Sequence, residues 1–284
     1  MLVGTGGKQA VYDYLDARTG KYAFSFDLGV QNVITGVDPQ TGAKQIDARL
    51  TPGNGQTVMT CPHAGGSKNW LPDSYNPDSH VLFVSLVEAC MDLLPVAPGG
   101  RGSLSTGVRW ALRPRPDSDA KYGRVHGVNI ETKKTVWMAR QRAPLSTGVL
   151  ATAGGVAFAG AIDRGFSAYD DATGHELWHT RLNDVPSSAP ITYIVNGRQD
   201  VALVTGNGGA QAVTFPALVP DQTHRIAARR CGYSSCPLVR AVRRAPASDS
   251  HVEPVEPLGR LREDNRNIAF AFLLQSDVIA HLGR

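Results

Sequence analysis

The sequence predicts an all-β fold: a partial β-propeller of about five blades over residues 1–220, with an unstructured tail over residues 221–284. A recurring eleven-residue pattern, its spacing and a turn-rich composition carry this. Residues 168–178 hold Asp170 at the third position, Thr173 at the sixth, Gly174 at the seventh and Trp178 at the eleventh. Residues 127–137 repeat it with Asn129, Thr132 and Trp137. Two looser copies follow the same order: Asp16, Thr19, Gly20 and Phe24, then Asp38, Thr41, Gly42 and Ile46. Asp170 lies 41 residues beyond Asn129, about one four-stranded blade. With 30 Gly and 18 Pro among 284 residues, and 7% aromatics, the chain has the make-up of a loop-rich β protein.

Each copy reads as a strand, a tight turn and a returning strand. The Asp accepts hydrogen bonds from turn amides, and Gly permits positive φ. The Trp adds a large apolar body with one N–H donor, suited to wedging between blades. Along the chain, residues 10–15 alternate as a strand and 52–72 form a Gly- and Pro-rich connection. Residues 81–87 make a buried strand after a turn at 76–79. Residues 95–120 read as a long surface loop. Strands recur at blade spacing from 123 to 213. Beyond Pro220 the blade pattern stops, and residues 268–282 suggest at most a short apolar helix.

Residues 1–220 hold 19 basic and 18 acidic side chains, so nothing there favours a polyanion. The tail carries 10 Arg, no Lys and 7 acids. No amphipathic helix, phosphate loop or aromatic–basic patch points to nucleic acid, and no apolar run is long enough to span a bilayer. The first residues lack the marks of a signal peptide. Cys61 and Cys90 are either buried thiols or a disulfide, and Cys231 and Cys236 fall in the tail. His63, His80 and His126 are scattered singly, each expected to be structural or exposed.

Several segments together resemble the pyrroloquinoline-quinone (PQQ)-dependent alcohol dehydrogenases, the eight-bladed quinoprotein propellers. Residues 150–160, with Asp163 and the Trp178 motif after them, resemble one blade of that family. Pro190 to Tyr193, Asn196 to Gln199, then Val201, Ala202 and Gly206 resemble its last blade. Cys61-Pro62, Lys68-Asn69-Trp70 and the run from Glu88 to Asp92 resemble a disulfide-closed loop, which implies a Cys61–Cys90 bond. The resemblance covers roughly residues 3–219 and corresponds to the C-terminal part of such an enzyme.

It implies PQQ as cofactor, calcium beside it, an alcohol or sugar substrate, and a cytochrome c or membrane quinone as electron acceptor. The setting is expected to be periplasmic. Lys8, in Gly6-Gly7-Lys8-Gln9, matches the family's basic contact to the quinone oxygens, and Asn69 its amide contact, with Trp70 beside it. Gly208 and Gly209 match a close backbone approach to the cofactor, though Ala210 replaces an aromatic there. Ser146 stands where some methanol-oxidising members carry Trp. No residue is assigned as catalytic base or metal ligand: these are expected upstream of residue 1, so the chain alone is expected to be inactive. Asp163, Asp170 and Asp171 read as turn residues. The other reading is a cofactor-free propeller serving as a binding scaffold.

Overall fold

The computed structural model describes residues 2–52, 55–97, 100–102, 108–195, 198–206, 214–222 and 270–274. Its strands, in chain order, are β1 (Leu2–Gly6), β2 (Val11–Asp16), β3 (Tyr22–Asp27), β4 (Ile34–Val37), β5 (Lys44–Ile46), β6 (Val58–Thr60) and β7 (Ser74–Asn76). Next come β8 (Val81–Val87), β9 (Ala89–Pro95), β10 (Val108–Pro114), β11 (Gly123–Asn129), β12 (Lys134–Gln141) and β13 (Leu150–Thr152). The last are β14 (Val156–Gly160), β15 (Gly165–Asp170), β16 (Glu176–Arg181), β17 (Ile191–Val195), β18 (Arg198–Thr205) and β19 (Phe270–Leu274). The described sheets run β1-β2-β3, β10-β9-β6, β12-β11-β8-β7, β13-β14-β15-β16 and β17-β18-β19, with the hairpin β4-β5 apart.

The chain divides into two compact units. One holds residues 1–70, 86–124 and 140–144; the other holds 71–85, 125–139 and 145–284. In the first, Tyr14 and Phe24 stack at 4.4 Å across β2 and β3, and Val11, Tyr12, Leu28 and Val30 are buried. In the second, Val156, Phe158, Phe166, Ala168, Leu182, Val201 and Leu203 form a core, with Leu177 and Trp178 packed against it. Burying a Phe or Leu side chain there contributes about 1.5–3 kcal/mol. β14 and β15 are buried along nearly all their length, which is why they read as continuous small and apolar runs.

The repeated turns share one geometry. In Asp16, Asp38 and Asp170, Oδ1 accepts from the amide two residues on and from both the amide and hydroxyl of the Thr three residues on. The following Gly20, Gly42 and Gly174 have φ of 67°, 76° and 72° and donate to the carbonyls of Asp16, Asp38 and Asp170. Asn129 accepts likewise from Glu131 and Thr132, but Lys133 fills the glycine slot at φ 57°. The Thr hydroxyl and turn amides hold the Asp16 and Asp38 carboxyls below the usual range.

Two stretches depart from the sequence reading. Residues 108–114, expected within a surface loop, form β10, paired with β9 from Val108↔Pro95 to Pro114↔Ala89. The interleaved Arg109, Arg113 and Pro114 mask an alternation of Val108, Trp110 and Leu112. Within residues 221–284, Phe270–Leu274 is a strand paired with Val201–Thr205 where the sequence suggested at most a helix. A short apolar run does not distinguish the two by itself. Asp221 and Gln222 are also described, and the remainder of the tail lies outside the described residues.

Candidate functional site

The segment of residues 61–69, in the first unit, is tied down on both sides. β6 delivers it to Cys61, whose amide donates to Asn32 Oδ1 at 2.7 Å, while the Asn32 amide donates to the Cys61 carbonyl at 3.2 Å. The Cys61–Pro62 peptide bond is cis. The His63 amide donates to the Ala89 carbonyl and the Val87 amide to the Ser67 carbonyl, both at 2.9 Å. Cys61 and Cys90 form a disulfide with Cα atoms 4.3 Å apart, and both are buried. The disulfide that the resemblance implied is present. Asn32, which grips the chain before the loop, was not singled out from the sequence; it lies 29 residues from Cys61.

Lys8 and Asn69 meet on this loop. The Lys8 ammonium donates to the Ala64 carbonyl at 3.0 Å, and the Asn69 side-chain amide donates to the adjacent Gly65 carbonyl at 2.7 Å. The Ser67 amide returns a bond to the Lys8 carbonyl at 2.9 Å. Gly66 makes this approach possible: its φ is 84°, and a Cβ there would lie 2.8 Å from Lys8 Cβ and 2.7 Å from the Lys68 carbonyl oxygen. The Asn69 Oδ1 accepts from the Trp70 amide at 3.0 Å, so what Asn69 offers outward is its second N–H. Trp70 is 83% exposed, leaving its ring face open.

His63 is a buried member of the loop. Burial, with the Lys8 charge as the smaller cause, pushes its imidazole down to about 4, so it is neutral near pH 7. Its ring stands edge-on to Trp110 at 6.4 Å, and a Cβ on Gly65 would fall 2.5 Å from Nε2. The loop thus needs glycine at both 65 and 66.

Behind the loop lies a group of charges that the sequence did not reveal. Glu88 is 2% exposed and faces Arg140, Arg124 and Arg115 at 2.9, 3.4 and 3.7 Å. Burial pushes the Arg124 guanidinium down to about 10, opposed by the Glu88 charge, so it stays protonated. One signal was legible: Glu88 is a lone acid inside an apolar run, and acids are rarely buried without a partner.

The remaining expectations separate. Asp163 Oδ1 caps the Gly165 amide, Asp170 organises its turn, and Asp171 accepts from Asn76 at 2.7 Å, all turn or packing roles. His126 shares a hydrogen bond with Thr135, and His80 lies beside Tyr75 and Glu131. Ser146 is buried, and its amide donates to the Gly160 carbonyl. Gly208, Gly209 and Ala210 lie outside the described residues. Among the described residues there is no group of three or more His, Cys, Asp or Glu placed for a metal, and no helix long and apolar enough to cross a membrane.

Lys8 and Asn69 therefore form a donor pair on consecutive carbonyls of one cross-linked loop. The ammonium keeps further N–H groups beyond the one used on Ala64, and the carboxamide keeps one. Such a pair suits electron-rich oxygens on a flat ligand, which is the chemistry of quinone and carboxylate groups. Residues 116–201 match the family described as glucose/ethanol/alcohol dehydrogenase, beta-propeller domain. The chain is 31% identical over 215 residues to lupanine 17-hydroxylase [cytochrome c] of a Pseudomonas species, covering 75% of this chain and 30% of that protein. It is 28% identical over 219 residues to the quinohemoprotein alcohol dehydrogenase of Comamonas testosteroni, covering 74% and 31%. A europium-containing methanol dehydrogenase shares the fold, with TM-score 0.68 at 23% identity over 78% of this chain and 39% of the other. The chain spans about a third of the length of these curated relatives. Over about three quarters of its length this chain is a member, by sequence and β-propeller fold, of the PQQ-dependent alcohol dehydrogenase family.

Proposed function

We propose that this chain supplies one wall of a PQQ site in a dehydrogenase that oxidises alcohols or sugars. The observation that supports it most is the convergence of Lys8 and Asn69 on the Ala64 and Gly65 carbonyls. The bound quinone supplies the hydride acceptor. Lys8 holds a fixed positive charge toward its oxygens and stabilises negative charge developing there. Asn69 donates a neutral hydrogen bond beside it, and Trp70 offers an aromatic face. The residues present thus fit the group as part of its cradle.

The base and the calcium ligands belong, on this reading, to blades preceding residue 1. The chain covers about a third of its relatives, which supports reading it as the C-terminal portion of a longer enzyme that is inactive in isolation. Cytochrome c in the name of a relative supports a cytochrome acceptor, and the Cys61–Cys90 disulfide supports a periplasmic setting. The test is titration of the chain with PQQ, with and without calcium, followed by the quinone absorbance. Binding that Lys8→Ala weakens about tenfold supports the reading. No binding by wild type, or binding indifferent to both Lys8→Ala and Asn69→Ala, favours a cofactor-free scaffold instead.

A further inference from the structure

Glu88 sits between the end of β8 and the start of β9. Arg140 grips its carboxylate with both arms of the fork, Nε to Oε1 at 3.0 Å and Nη2 to Oε2 at 2.9 Å. Each arginine around it also holds backbone elsewhere in the same unit. Arg124 donates to the Leu28 carbonyl, Arg115 to the Gly29 carbonyl at 2.9 Å, and Arg140 to the Ser118 carbonyl at 2.8 Å. Arg115 also pairs with Asp117 at 2.6 Å, and Asp119 lies 3.7 Å from Arg140. One buried carboxylate thus joins the backbone at residues 28–29 and 118 to its own strand junction.

That junction is also the rail from which the loop hangs. The residue before Glu88 donates its amide to Ser67, and the residue after it accepts from His63. Two residues on, Cys90 carries the disulfide. The Glu88 amide itself donates to the Tyr122 carbonyl at 2.8 Å. Three tethers of the segment carrying Ala64, Gly65 and Asn69 therefore land within residues 87–90.

We propose that Glu88 is a positioning residue: its arginine-held carboxylate fixes residues 87–90 and, through them, the loop on which Lys8 and Asn69 are set. What that loop binds rests on the function proposed above; the coupling from Glu88 to the loop does not. Replacing the carboxylate by an amide leaves three cations around a neutral group, with their mutual repulsion uncompensated. Their holds on residues 28–29 and 118 then loosen together, and the rail moves with them. Arg140→Lys keeps the charge but loses the two-armed grip, so it produces the same effect more weakly.

The test is native-state amide hydrogen exchange on the full chain, comparing wild type with Glu88→Gln and Arg140→Lys. Exchange at the His63, Ser67 and Val87 amides is expected to accelerate at least tenfold in Glu88→Gln, while the Thr19 and Gly20 amides of the same unit stay unchanged. PQQ affinity, read by absorbance, is expected to fall several-fold although Lys8 and Asn69 are intact. Unchanged exchange at the three amides, or an equal rise at Thr19 and Gly20, overturns the proposal and leaves Glu88 a general stabiliser. Should Glu88→Gln not fold, Arg140→Lys decides by the same readings. If wild type binds no PQQ, the proposed function fails while the exchange comparison still tests the coupling.

Discussion

Trp137 lies directly over Gly174. Its indole Nε1 donates to the Asp171 carbonyl at 2.7 Å, and a Cβ at residue 174 would fall 2.5 Å from the ring. Phe83 and Tyr169 flank the indole at 5.6 and 6.3 Å. The glycine therefore serves two ends: it takes the left-handed conformation of its own turn and clears the floor for a tryptophan from another repeat. Gly174→Ala is expected to destabilise the second unit by about 2–4 kcal/mol, combining backbone strain with overpacking. Urea unfolding followed by Trp fluorescence measures it, and a loss below 1 kcal/mol would show that the indole shifts freely.

Lys133 occupies the equivalent turn position with φ 57°. Relief of the left-handed strain outweighs the extra freedom glycine gives the unfolded chain, so Lys133→Gly is expected to stabilise by up to about 1 kcal/mol. The same urea titration reads this as a higher midpoint with unchanged slope.

His63 makes the first unit sensitive to acid. Its folded pKa lies near 4 against an ordinary 6.5, so the unfolded chain takes up the proton first as pH falls. The His63 contribution is constant above about pH 7, declines between about 6.5 and 4, and is fully lost below; that loss is on the order of 3 kcal/mol. His63→Gln is expected to flatten that limb of the stability–pH profile. A profile identical to wild type would assign the acid sensitivity elsewhere.

The disulfide closes 29 residues of sequence. Replacing Cys61 and Cys90 together by Ala is expected to cost about 3–4 kcal/mol if unfolded-chain entropy dominates. Alkylation of the intact chain without reductant should leave both thiols unlabelled; labelling at either would contradict the bond.

The parts legible from the sequence were those whose partners are close along the chain. Asp16, Asp38, Asn129 and Asp170 bond within three residues, so composition and spacing announce their turns. Lys8 and Asn69 were found only through family likeness, because folding brings them onto adjacent carbonyls, Ala64 and Gly65. Nothing in the order of residues links Lys8 to Ala64, which lies 56 positions away. Glu88 and Arg140 stand 52 apart and are brought into their two-armed pairing only by the fold. β10 was hidden because its arginines interrupt the apolar rhythm, although one of them, Arg113, reaches Asp92 on the paired strand at 3.0 Å.

The same contrast in reach orders the way this chain acquires structure. An Asp-Thr-Gly turn closes over three or four residues, so it forms at little entropic cost and on the microsecond scale of hairpins. The loop of residues 61–69 needs Asn32 from upstream and the strand at 87–90 from downstream before it has a shape. A chain growing toward its C-terminus therefore completes each turn as it appears, whereas the Lys8–Asn69 wall waits until Cys90 and, on the coupling proposed above, Arg140 have been made. A nascent chain halted before residue 90 would carry Lys8 and Asn69 without the frame that brings them together.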